Sequence, residues 1–380
     1  MALEVPWGSA PPPRKGETSL YNILVVAGDG IGPEVVQEGL KVLDAVSRRF
    51  GHKFNLTHDL VGGVAMDKYG VPLRPETLEM AKKSHAVLLG AVGDPRYDDP
   101  TAPHRPEDGA LGLRKGLDVF ANVRPVKLYD ALLHTSSLRP EIVKGTDIVF
   151  VRELTAGTYF GQPKKMWEEN GKLQAVDTTS YTQDEVERVL RFSFELARKR
   201  RKKLTVLDKA NVMATGRLWR LLSDRMAPSY PDVTMEHYLS DAMAMALIRR
   251  PRDFDVIVAD NLFGDILTDE AAQLAGSMGM LPSASLGHSK VGLYEPIHGS
   301  APKYAGQNKV NPIATILSVA LMLEHSLDLV REARLVERAV EKVLEAGYRT
   351  YDIAEPGREI VGTAQMGSAI ADAVANIDEP

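Results

Sequence analysis

Apolar runs alternate along the chain with longer segments in which apolar and polar residues are mixed at helical spacing. The apolar runs predict strands at Tyr21–Ala27, Ala86–Val92, Phe120–Leu128, Asp147–Glu153, Leu204–Leu207 and Asp255–Ala259. The mixed segments predict helices at Pro33–Arg49, from Pro75 onward, and at Thr182–Lys199, Asn311–His325, Arg331–Ala346 and Gly362–Asn376. Strands that alternate with helices of this length indicate an α/β fold with a largely parallel sheet.

Two helix starts carry a local signal of their own. Thr182-Gln-Asp-Glu185 has the form of a capping box, in which two side chains satisfy backbone groups of the first turn. Pro33 stands where a first-turn proline loses nothing, because the amide it lacks has no partner inside the helix.

Length and composition narrow the class of protein. A chain of 380 residues predicts two domains. The residues are 44% hydrophobic and 26% charged, with a net charge of -5. The chain therefore lacks the excess positive charge that binds the phosphates of nucleic acid. No apolar run reaches the length of a membrane span, and the proline- and glycine-rich residues 1–20 predict a flexible arm rather than a signal peptide. The lack of cysteine excludes disulfides and thiolate chemistry and fits a reducing compartment, so we expect a cytoplasmic location.

One basic run needs a separate interpretation. Arg198-Lys-Arg-Arg-Lys-Lys203 falls where a helix should end and a strand should begin. Basic residues suit that end of a helix dipole, so we interpret the run as a solvated face rather than a nucleic-acid site.

The glycines that follow the first predicted strand do not form a dinucleotide fingerprint. Gly28-Asp-Gly-Ile-Gly32 lies between strand and helix, but its spacing is not the one that admits a pyrophosphate. Either the loop is only a tight turn or a nucleotide is bound in another way.

A pair of aspartates is the strongest chemical signal. Asp265 and Asp269 are four residues apart in a segment that continues as a helix, so both carboxylates should project from one face. A hard divalent cation such as Mg²⁺ or Mn²⁺ would relieve the repulsion between them. The alternative is a solvated helix start, where aspartate is common.

Three arginines and a lysine add to this signal. Arg124 and Arg152 lie at predicted strands and Arg114 precedes them. Arginine forks bind carboxylates in pairs, so three that converge would imply a substrate with two or more carboxylates. Lys209 directly follows an apolar strand, where an unpaired ammonium would be costly unless it had a function.

A series of motifs along residues 21–377 resembles the isocitrate/isopropylmalate dehydrogenase family of metal-dependent β-decarboxylating dehydrogenases, and within it the isopropylmalate branch. The motifs are Gly28-Asp-Gly-Ile-Gly-Pro-Glu34, Leu113-Arg-Lys, Phe120-Ala-Asn-Val-Arg-Pro125, Val151-Arg-Glu-Leu-Thr, Tyr159-Phe-Gly, Asp208-Lys-Ala-Asn-Val212, Asp241-Ala-Met-Ala-Met, Asn261-Leu-Phe-Gly-Asp-Ile-Leu-Thr-Asp269 and His298-Gly-Ser-Ala-Pro302. They occur in the order and at the spacing of that family.

The resemblance implies a role for each matched residue. Tyr159 and Lys209 would be catalytic, protonating the carbon that loses CO₂ and assisting hydroxyl deprotonation. Asp241, Asp265 and Asp269 would hold Mg²⁺ or Mn²⁺. The substrate would be bound by Arg114, Arg124, Arg152, Asp241, Glu107, Leu111 and Val212. The nucleotide would be bound by Ile31, Glu295, His298, Gly299, Ser300, Ala301, Lys303, Tyr304, Val310, Asn311, Tyr351 and Arg250.

The resemblance also implies the architecture. The fold would be a two-domain, non-Rossmann isocitrate/isopropylmalate dehydrogenase-like fold. Residues 21–119 and 276–380 would form the first, nucleotide-binding domain. Residues 120–275 would form the second, for dimerisation, metal and substrate, with an arm at about 153–181. The protein would be a homodimer in which Lys209 and Asp241 serve the partner's metal site, without nucleic-acid or membrane partners.

The segment before Arg114 favours 3-isopropylmalate as substrate. Glu107, Leu111 and Val212 resemble the isopropylmalate branch, whereas Ala110 stands where that branch usually has leucine. The expected activity is therefore oxidative decarboxylation of 3-isopropylmalate in leucine biosynthesis, with tolerance for larger alkylmalates. The alternatives are a sibling enzyme for homoisocitrate, malate or tartrate, and a non-catalytic regulatory subunit of the same fold.

We expect NADP rather than the NAD usual for this branch. Lys303 stands where related enzymes have an aspartate that suits the free ribose hydroxyls, and Tyr304 adds a phenol beside it. Val310, Tyr351 and Arg250 also resemble NADP-using relatives. Against this, Glu355 stands where those relatives have a further arginine, although Arg358 is close in sequence.

Overall fold

The computed structural model describes residues 20–378. Its strands, in chain order, are β1 (Leu20–Gly28), β2 (Lys53–His58), β3 (Ala86–Ala91), β4 (Ala121–Lys127), β5 (Asp147–Glu153), β6 (Lys165–Glu169), β7 (Lys172–Val176), β8 (Lys203–Asp208), β9 (Thr234–Leu239), β10 (Val256–Ala259), β11 (Pro282–Leu286) and β12 (Gly292–Pro296). Its α-helices are α1 (Gly32–Phe50), α2 (Gly63–Tyr69), α3 (Pro75–Lys83), α4 (Glu107–Gly116), α5 (Pro140–Val143), α6 (Gln183–Lys199), α7 (Ala214–Met226), α8 (Ser240–Arg249), α9 (Asn261–Ala272), α10 (Ile313–His325), α11 (Val330–Glu345) and α12 (Thr363–Asn376). The expected flexible arm lies outside the described residues except for Leu20, which begins β1.

The chain forms two compact units. The first unit comprises the described residues up to Val119, the short segment Tyr129–Thr135, and the described residues from Ala275 onward. The second unit comprises Phe120–Leu128 and Ser136–Leu274. Because the first unit is assembled from distant parts of the chain, its strands pair across long sequence separations.

The first unit contains the sheet segment β2-β1-β3-β12-β11. Neighbours in it are parallel except for β11, which pairs antiparallel with β12. All six residues of β3 are buried, as expected for a parallel strand covered on both faces. Helix α10 is buried along almost its whole length and packs against β11, β12, α1 and α11, so it forms the centre of this unit's core.

The second unit contains the sheet segment β4-β5-β10-β8-β9, in which only the β4–β5 pair is antiparallel. Helix α6 lies against β5, β8 and β10 and buries an aromatic core. In that core Phe194 stacks on Tyr230 with ring centroids 4.5 Å apart, and Trp219 meets Tyr181 edge to face at 5.6 Å. This packing fixes the carboxyl ends of the strands, where the polar residues of the unit collect.

Strands β6 and β7 form a separate antiparallel hairpin inside the segment 153–181. Two of its apolar side chains are exposed, Met166 at 57% and Leu173 at 74%.

The α/β class is confirmed, and each predicted strand and helix is present with ends shifted by at most about two residues. The capping box is also confirmed: the Thr182 hydroxyl accepts from the Glu185 amide at 3.3 Å, and the Glu185 carboxylate accepts from the Thr182 amide at 2.8 Å. Strands β2, β6, β7, β9, β11 and β12 were not predicted. Of these, β2 and β9 each lie at an edge of their unit's sheet and have few apolar residues, so their sequences lack the apolar run that marks a central strand.

The basic run after α6 is engaged in ion pairs within the second unit. Arg198 pairs with Asp232 at 2.8 Å, Arg200 with Asp255 at 2.7 Å, and Lys203 with Glu236 at 3.0 Å. Lys199, Arg201 and Lys202 are exposed, whereas the three paired residues are partly buried, so the predicted solvated face is only partly present. Across residues 20–378, no helix combines the length and apolarity needed to cross a bilayer.

Candidate active site

Two buried arginines belong to the part of the candidate site that lies in the second unit. In the antiparallel β4–β5 pair Asn122 lies opposite Arg152, and Arg124 is two residues further along β4, so all three lie on one face of the sheet. Arg124 is only 5% exposed and Arg152 only 2%. A buried guanidinium is costly unless it is fully hydrogen-bonded. The hydrogen-bond acceptors of the two arginines therefore indicate what the site can bind.

Helix α9 supplies most of those partners for Arg152. The Nε and Nη2 atoms of Arg152 donate to the Asn261 side-chain oxygen at 3.1 and 2.8 Å, and Nε also donates to the Asn261 carbonyl at 2.9 Å. The Nη1 atom donates to Asp265 Oδ1 at 2.5 Å. At Gly264 an added Cβ would lie 2.9 Å from Arg152 Cγ, so glycine is what allows the helix to approach this side chain.

Arg124 is held in a similar way. Its Nε donates to the Asn122 side-chain oxygen at 2.6 Å, and its Nη1 donates to the Thr268 hydroxyl at 2.5 Å. Its Nη2 lies 3.6 Å from Asp265 Oδ1. Both guanidinium groups therefore meet at the Asp265 carboxylate.

The two aspartates of α9 lie one turn apart on the helix, as the spacing predicted. Asp265 accepts one hydrogen bond on each carboxylate oxygen, from Arg152 and Tyr159, whereas none of the described residues donates a hydrogen bond to the exposed Asp269 carboxylate. Desolvation raises the pKa of Asp269, and the neighbouring Asp265 charge acts in the same direction, against the opposing effect of Arg124 and Arg152. Two adjacent carboxylates, one of them without a donor, are a suitable oxygen donor set for a hard cation.

Tyr159 completes this group, which we call the arginine–aspartate cluster (Arg124, Arg152, Tyr159, Asp265 and Asp269). The Tyr159 hydroxyl donates to Asp265 Oδ2 at 2.7 Å, and the Arg152 guanidinium lies 5.4 Å from the centre of its ring. Burial, followed by the hydrogen bond to Asp265, raises the pKa of Tyr159 to about 12. The phenol is therefore protonated at neutral pH.

Lys209 and Asp241 form a separate pair in the same unit. Lys209 follows β8, and its Nζ lies 2.6 Å from Asp241 Oδ1 in the first turn of α8. The hydrogen bond from Lys209 holds the pKa of Asp241 below its usual value. Within residues 20–378, no three His, Cys, Asp or Glu side chains are grouped as a metal site, so Asp241 does not join Asp265 and Asp269 within one chain.

The first unit carries the remaining arginine and the residues expected near the substrate's alkyl group. Arg114, on α4, forms an ion pair with Glu295 on β12. Glu107 is exposed and Leu111 is partly buried on the same helix, whereas Ala110 is buried. Val212, in the second unit, is 66% exposed beyond Lys209.

The residues expected to bind a nucleotide lie mainly in the 298–311 loop of the first unit. His298 Nδ1 lies 3.0 Å from the Gly299 carbonyl, while its Nε2 is buried and meets no hydrogen-bond partner among the described residues. Burial lowers the pKa of His298, which favours the neutral ring. Ala301 has a left-handed backbone with φ 37°, and the short turn Pro302–Tyr304 follows it.

The side chains of that turn and of the residues after it differ in burial, from the exposed Lys303 to the buried Asn311. The Lys303 ammonium lies 4.7 Å from the centre of the Tyr304 ring. Asn311 donates to Asp352 at 3.1 Å, and the Val310 carbonyl accepts from the Thr363 hydroxyl at 2.7 Å. Tyr351 is 67% exposed. The backbone amide of Ile31 donates to the Ser300 carbonyl at 2.8 Å, which ties the glycine segment to this loop.

Two further candidate residues concern the choice of nucleotide. Glu355 accepts from Arg349 at 3.0 Å and lies 3.8 Å from Arg358, so its charge is compensated by two guanidinium groups. Arg250, in the second unit, contacts Tyr238 and Asp253 at 2.5 and 3.3 Å.

Sequence reasoning missed the polar residues that hold the arginines. Asn122 was detectable, because a polar residue two positions before Arg124 on a strand must share its face. Asn261 and Thr268 gave no comparable signal, since their partners lie 109 and 144 residues away in sequence.

The sequence and the fold of this chain are similar to those of known proteins. Residues 22–370 match the family model described as isocitrate/isopropylmalate dehydrogenase. The chain is 57% identical over 358 residues to a 3-isopropylmalate dehydrogenase of Dehalococcoides mccartyi, covering 92% of this chain and 98% of that one. It is 54% identical to a 3-isopropylmalate dehydrogenase of Geobacillus kaustophilus, with 93% and 95% covered. Among solved structures it resembles isocitrate dehydrogenase from Methylococcus capsulatus, with a TM-score of 0.84, 33% identity, and 94% and 100% covered.

Proposed function

Because the chain belongs to the isocitrate/isopropylmalate dehydrogenase family, we propose that it catalyses the NAD(P)-linked oxidative decarboxylation of 3-isopropylmalate to 4-methyl-2-oxopentanoate, a step of leucine biosynthesis. The observation that carries this proposal is an identity above one half, over nearly the full length of both chains, to proteins named for that activity. A divalent metal ion and a nicotinamide nucleotide belong to this chemistry. The alternative of a non-catalytic subunit has no support, because every matched site residue is retained.

The metal ion is proposed to be Mg²⁺ or Mn²⁺. Asp265 and Asp269 would hold it with carboxylate oxygens, together with Asp241 from the partner subunit. The donor set fits, because it contains only oxygen atoms and includes the donor-free Asp269. When bound, such an ion lowers the pKa of a coordinated hydroxyl and stabilises negative charge on its oxygen.

Three arginines are proposed to bind the carboxylates of the substrate. The fork geometry of Arg114, Arg124 and Arg152 suits paired carboxylate oxygens. The restraint of Arg124 by Asn122 and Thr268, and of Arg152 by Asn261, supports this role. A guanidinium whose orientation is already fixed loses little freedom when it binds.

Lys209 is proposed to take part in removing the proton of the substrate hydroxyl, in the site of the partner subunit. Its pair with Asp241 fixes the direction of the ammonium group and ties it to a proposed metal ligand. The hydroxyl proton would pass to the neutral amine form of Lys209, since an ammonium group has no free electron pair to accept it, as hydride leaves the carbon that bears the hydroxyl.

Tyr159 is proposed to protonate the carbon that loses CO₂. Its raised pKa keeps the phenol protonated at neutral pH, and its hydrogen bond to Asp265 fixes it beside the proposed metal ligands. A proton donor held in place contributes roughly 10²–10⁴ in rate.

We propose that the working assembly is a homodimer in the cytoplasm, with no nucleic-acid or membrane partner. The separation of Asp241 from the other two proposed ligands within the described chain supports a site shared between subunits. The exposed apolar residues Met166 and Leu173 of the β6–β7 hairpin support its proposed role as a dimerisation arm. A chain without cysteine is compatible with the cytoplasm.

The nucleotide is proposed to be NADP. Lys303 and Tyr304 stand together on the exposed turn of the 298–311 loop, where a 2′-phosphate would meet an ammonium group and a phenol. The charge of Glu355, which would oppose a phosphate, is compensated by Arg349 and Arg358. We propose that Arg250 of the partner subunit adds a further positive charge.

The experiment for substrate choice is a panel of 2-hydroxy acids assayed with Mg²⁺ and both nucleotides. The panel contains 3-isopropylmalate, a larger alkylmalate, homoisocitrate, malate and tartrate. We expect the highest kcat/KM with 3-isopropylmalate, and measurable turnover of the larger alkylmalate because Ala110 replaces a leucine. A higher kcat/KM for any of the last three compounds would overturn the proposed substrate.

A further inference from the structure

Of the Gly28–Glu34 segment, only Ile31 has a role assigned by the family resemblance, as a nucleotide-binding residue. The segment follows β1 and leads into α1, where a dinucleotide-binding fold would cradle a pyrophosphate, but its glycine spacing excludes that use. Its backbone and the Glu34 side chain instead contact the 298–311 loop.

The first contact is a close approach of two backbones. Gly30 has φ 56°, and a Cβ added there would lie 2.1 Å from the Ser300 carbonyl oxygen. The next residue, Ile31, donates its amide to that same carbonyl at 2.8 Å. Only glycine at position 30 allows the two segments to come this near.

The second contact is made by a charged side chain. Glu34 accepts from the Gly306 amide through Oε2 at 2.8 Å and from the Asn308 amide through Oε1 at 3.0 Å. Both bonds are assisted by charge, which makes them stronger than bonds between neutral groups. One carboxylate therefore fixes two backbone positions on the far side of Lys303 and Tyr304.

The 298–311 loop depends on such contacts because it has little to hold it otherwise. Ala301, Gly306 and Asn308 all have left-handed backbones, with φ 37°, 73° and 54°. Residues 305–309 are exposed, so burial of apolar surface contributes little to their order. Beyond Glu34, the loop is tied by the Asn308 carbonyl and side chain, which accept from the amides of Thr363 and Ala364 at 3.2 and 2.8 Å.

The glycine segment is itself firmly anchored. Asp29 is buried and accepts three backbone hydrogen bonds, from Gly63 at 2.8 Å, Val64 at 2.9 Å and Gly93 at 2.9 Å. The segment is therefore fixed to the body of the first unit on one side and to the 298–311 loop on the other.

We propose that the Gly28–Glu34 segment clamps the 298–311 loop in its nucleotide-binding conformation, with Glu34 as a positioning residue that sets nucleotide affinity without touching the nucleotide. This inference rests on the proposed function, because it takes the loop to be the nucleotide site. Glu34 acts on the backbone rather than on Lys303, so its removal weakens NADP and NAD by the same factor.

The test compares Glu34→Gln and Glu34→Ala with the parent chain and with Glu345→Gln. The control removes an exposed carboxylate of α11 that pairs with Lys342 at 2.7 Å, in the same unit. Calorimetry gives the Kd for NADP and for NAD, steady-state assays give kcat and the KM for each nucleotide and for the alkylmalate substrate, and hydrogen exchange follows the amides of residues 305–309 without nucleotide.

We expect Glu34→Gln to raise the Kd and KM for both nucleotides about tenfold, and Glu34→Ala to raise them further. The KM for the alkylmalate substrate should stay within about twofold of the parent, and exchange at residues 305–309 should accelerate. The Glu345→Gln chain should match the parent in all of these. Unchanged exchange at 305–309, unchanged nucleotide Kd, or an equal rise in the KM for the alkylmalate substrate would each overturn the clamp.

The same assays separate this inference from the proposed function. Lys303→Asp alters the ratio of NADP to NAD affinity, whereas Glu34→Gln leaves that ratio unchanged. An unaltered ratio in Lys303→Asp removes the NADP proposal and leaves the clamp standing. Nucleotide binding and exchange are measured without substrate, so failure of 3-isopropylmalate turnover does not affect the test of the clamp.

Discussion

The arginine–aspartate cluster and the 298–311 loop are built in opposite ways. In the cluster, the arginines on β4 and β5 are buried, and several hydrogen bonds hold each of them against polar side chains of β4 and α9. In the loop, Lys303 is exposed and Tyr304 partly exposed, and the order comes from backbone amides and carbonyls bound by residues outside the loop. The comparison indicates that groups proposed to bind the substrate carboxylates and the metal are fixed by strands and a helix, whereas groups proposed for nucleotide choice can change without disturbing the fold.

The largest effect is expected from Asp265→Asn, which removes the charge on which both arginines and Tyr159 converge. We expect kcat/KM to fall on the order of a thousandfold, because several kcal/mol of charge stabilisation are lost. Steady-state kinetics at saturating Mg²⁺ measures the loss, and circular dichroism checks that the fold is kept. The matched control is Glu270→Gln on the same helix. Full activity of the parent chain after EDTA treatment and dialysis into metal-free buffer would contradict the metal assignment.

The next effect separates the two proposed proton-transfer residues. Lys209→Met should suppress hydride transfer, whereas Tyr159→Phe should allow it and slow the protonation after decarboxylation, each by roughly 10²–10⁴ in the affected step. Single-turnover measurement of nucleotide reduction, beside the steady-state rate, distinguishes the two. Equal bursts of reduction in both variants would show that the roles are wrongly divided.

A smaller effect concerns the stability of the protein through the cap of helix α9, the helix that carries Asp265 and Asp269. Asp260 caps α9 by accepting from the Phe263 amide at 2.8 Å, and burial raises its pKa from 3.8 to about 6. Because the folded-state pKa lies above the unfolded value, the contribution of Asp260 to stability is greatest below pH 4 and is lost as pH rises through 6. The difference of about 2 pKa units corresponds to about 3 kcal/mol.

Asp260→Asn keeps an oxygen for the cap and has no charge to bury. Relative to the parent chain, its free energy of unfolding should rise by about 2.5 kcal/mol between pH 4 and pH 7.5, because the unfolded carboxyl is already partly ionised at pH 4. Denaturant unfolding at the two pH values measures the change. Parallel pH dependence in the two chains would mean that Asp260 is not the group responsible.

The smallest effect is expected in the 298–311 loop. Lys303→Asp combined with Tyr304→Ile should shift the ratio of kcat/KM for NADP over NAD by at least about tenfold toward NAD, since a charge-assisted hydrogen bond to phosphate is lost. The KM for the alkylmalate substrate and the thermal midpoint should stay unchanged. Equal kcat/KM values for the two nucleotides in the parent chain would overturn the proposed NADP preference.

The elements of the fold differ in how well the sequence predicts them. The carboxylate pair of α9 was readable because four-residue spacing on a helix is a local property. The ends of β5 were predicted without error because Asp147–Glu153 is an apolar run closed by charged residues. The edge strands β2 and β9 escaped prediction, since they lack such a run.

By itself, the sequence determined the alternation of strands and helices, the family, and the residue types available for chemistry, because these depend on local pattern and on motif order. Only the tertiary structure decided that Asn261 orients Arg152 and that Glu34 holds Gly306 and Asn308. The first pair is separated by 109 residues and the second contacts by 272 and 274. Hydrogen bonds between residues so far apart produce no periodic pattern in the sequence. The donor reaches the acceptor because distant elements pack together, and not because of local propensity.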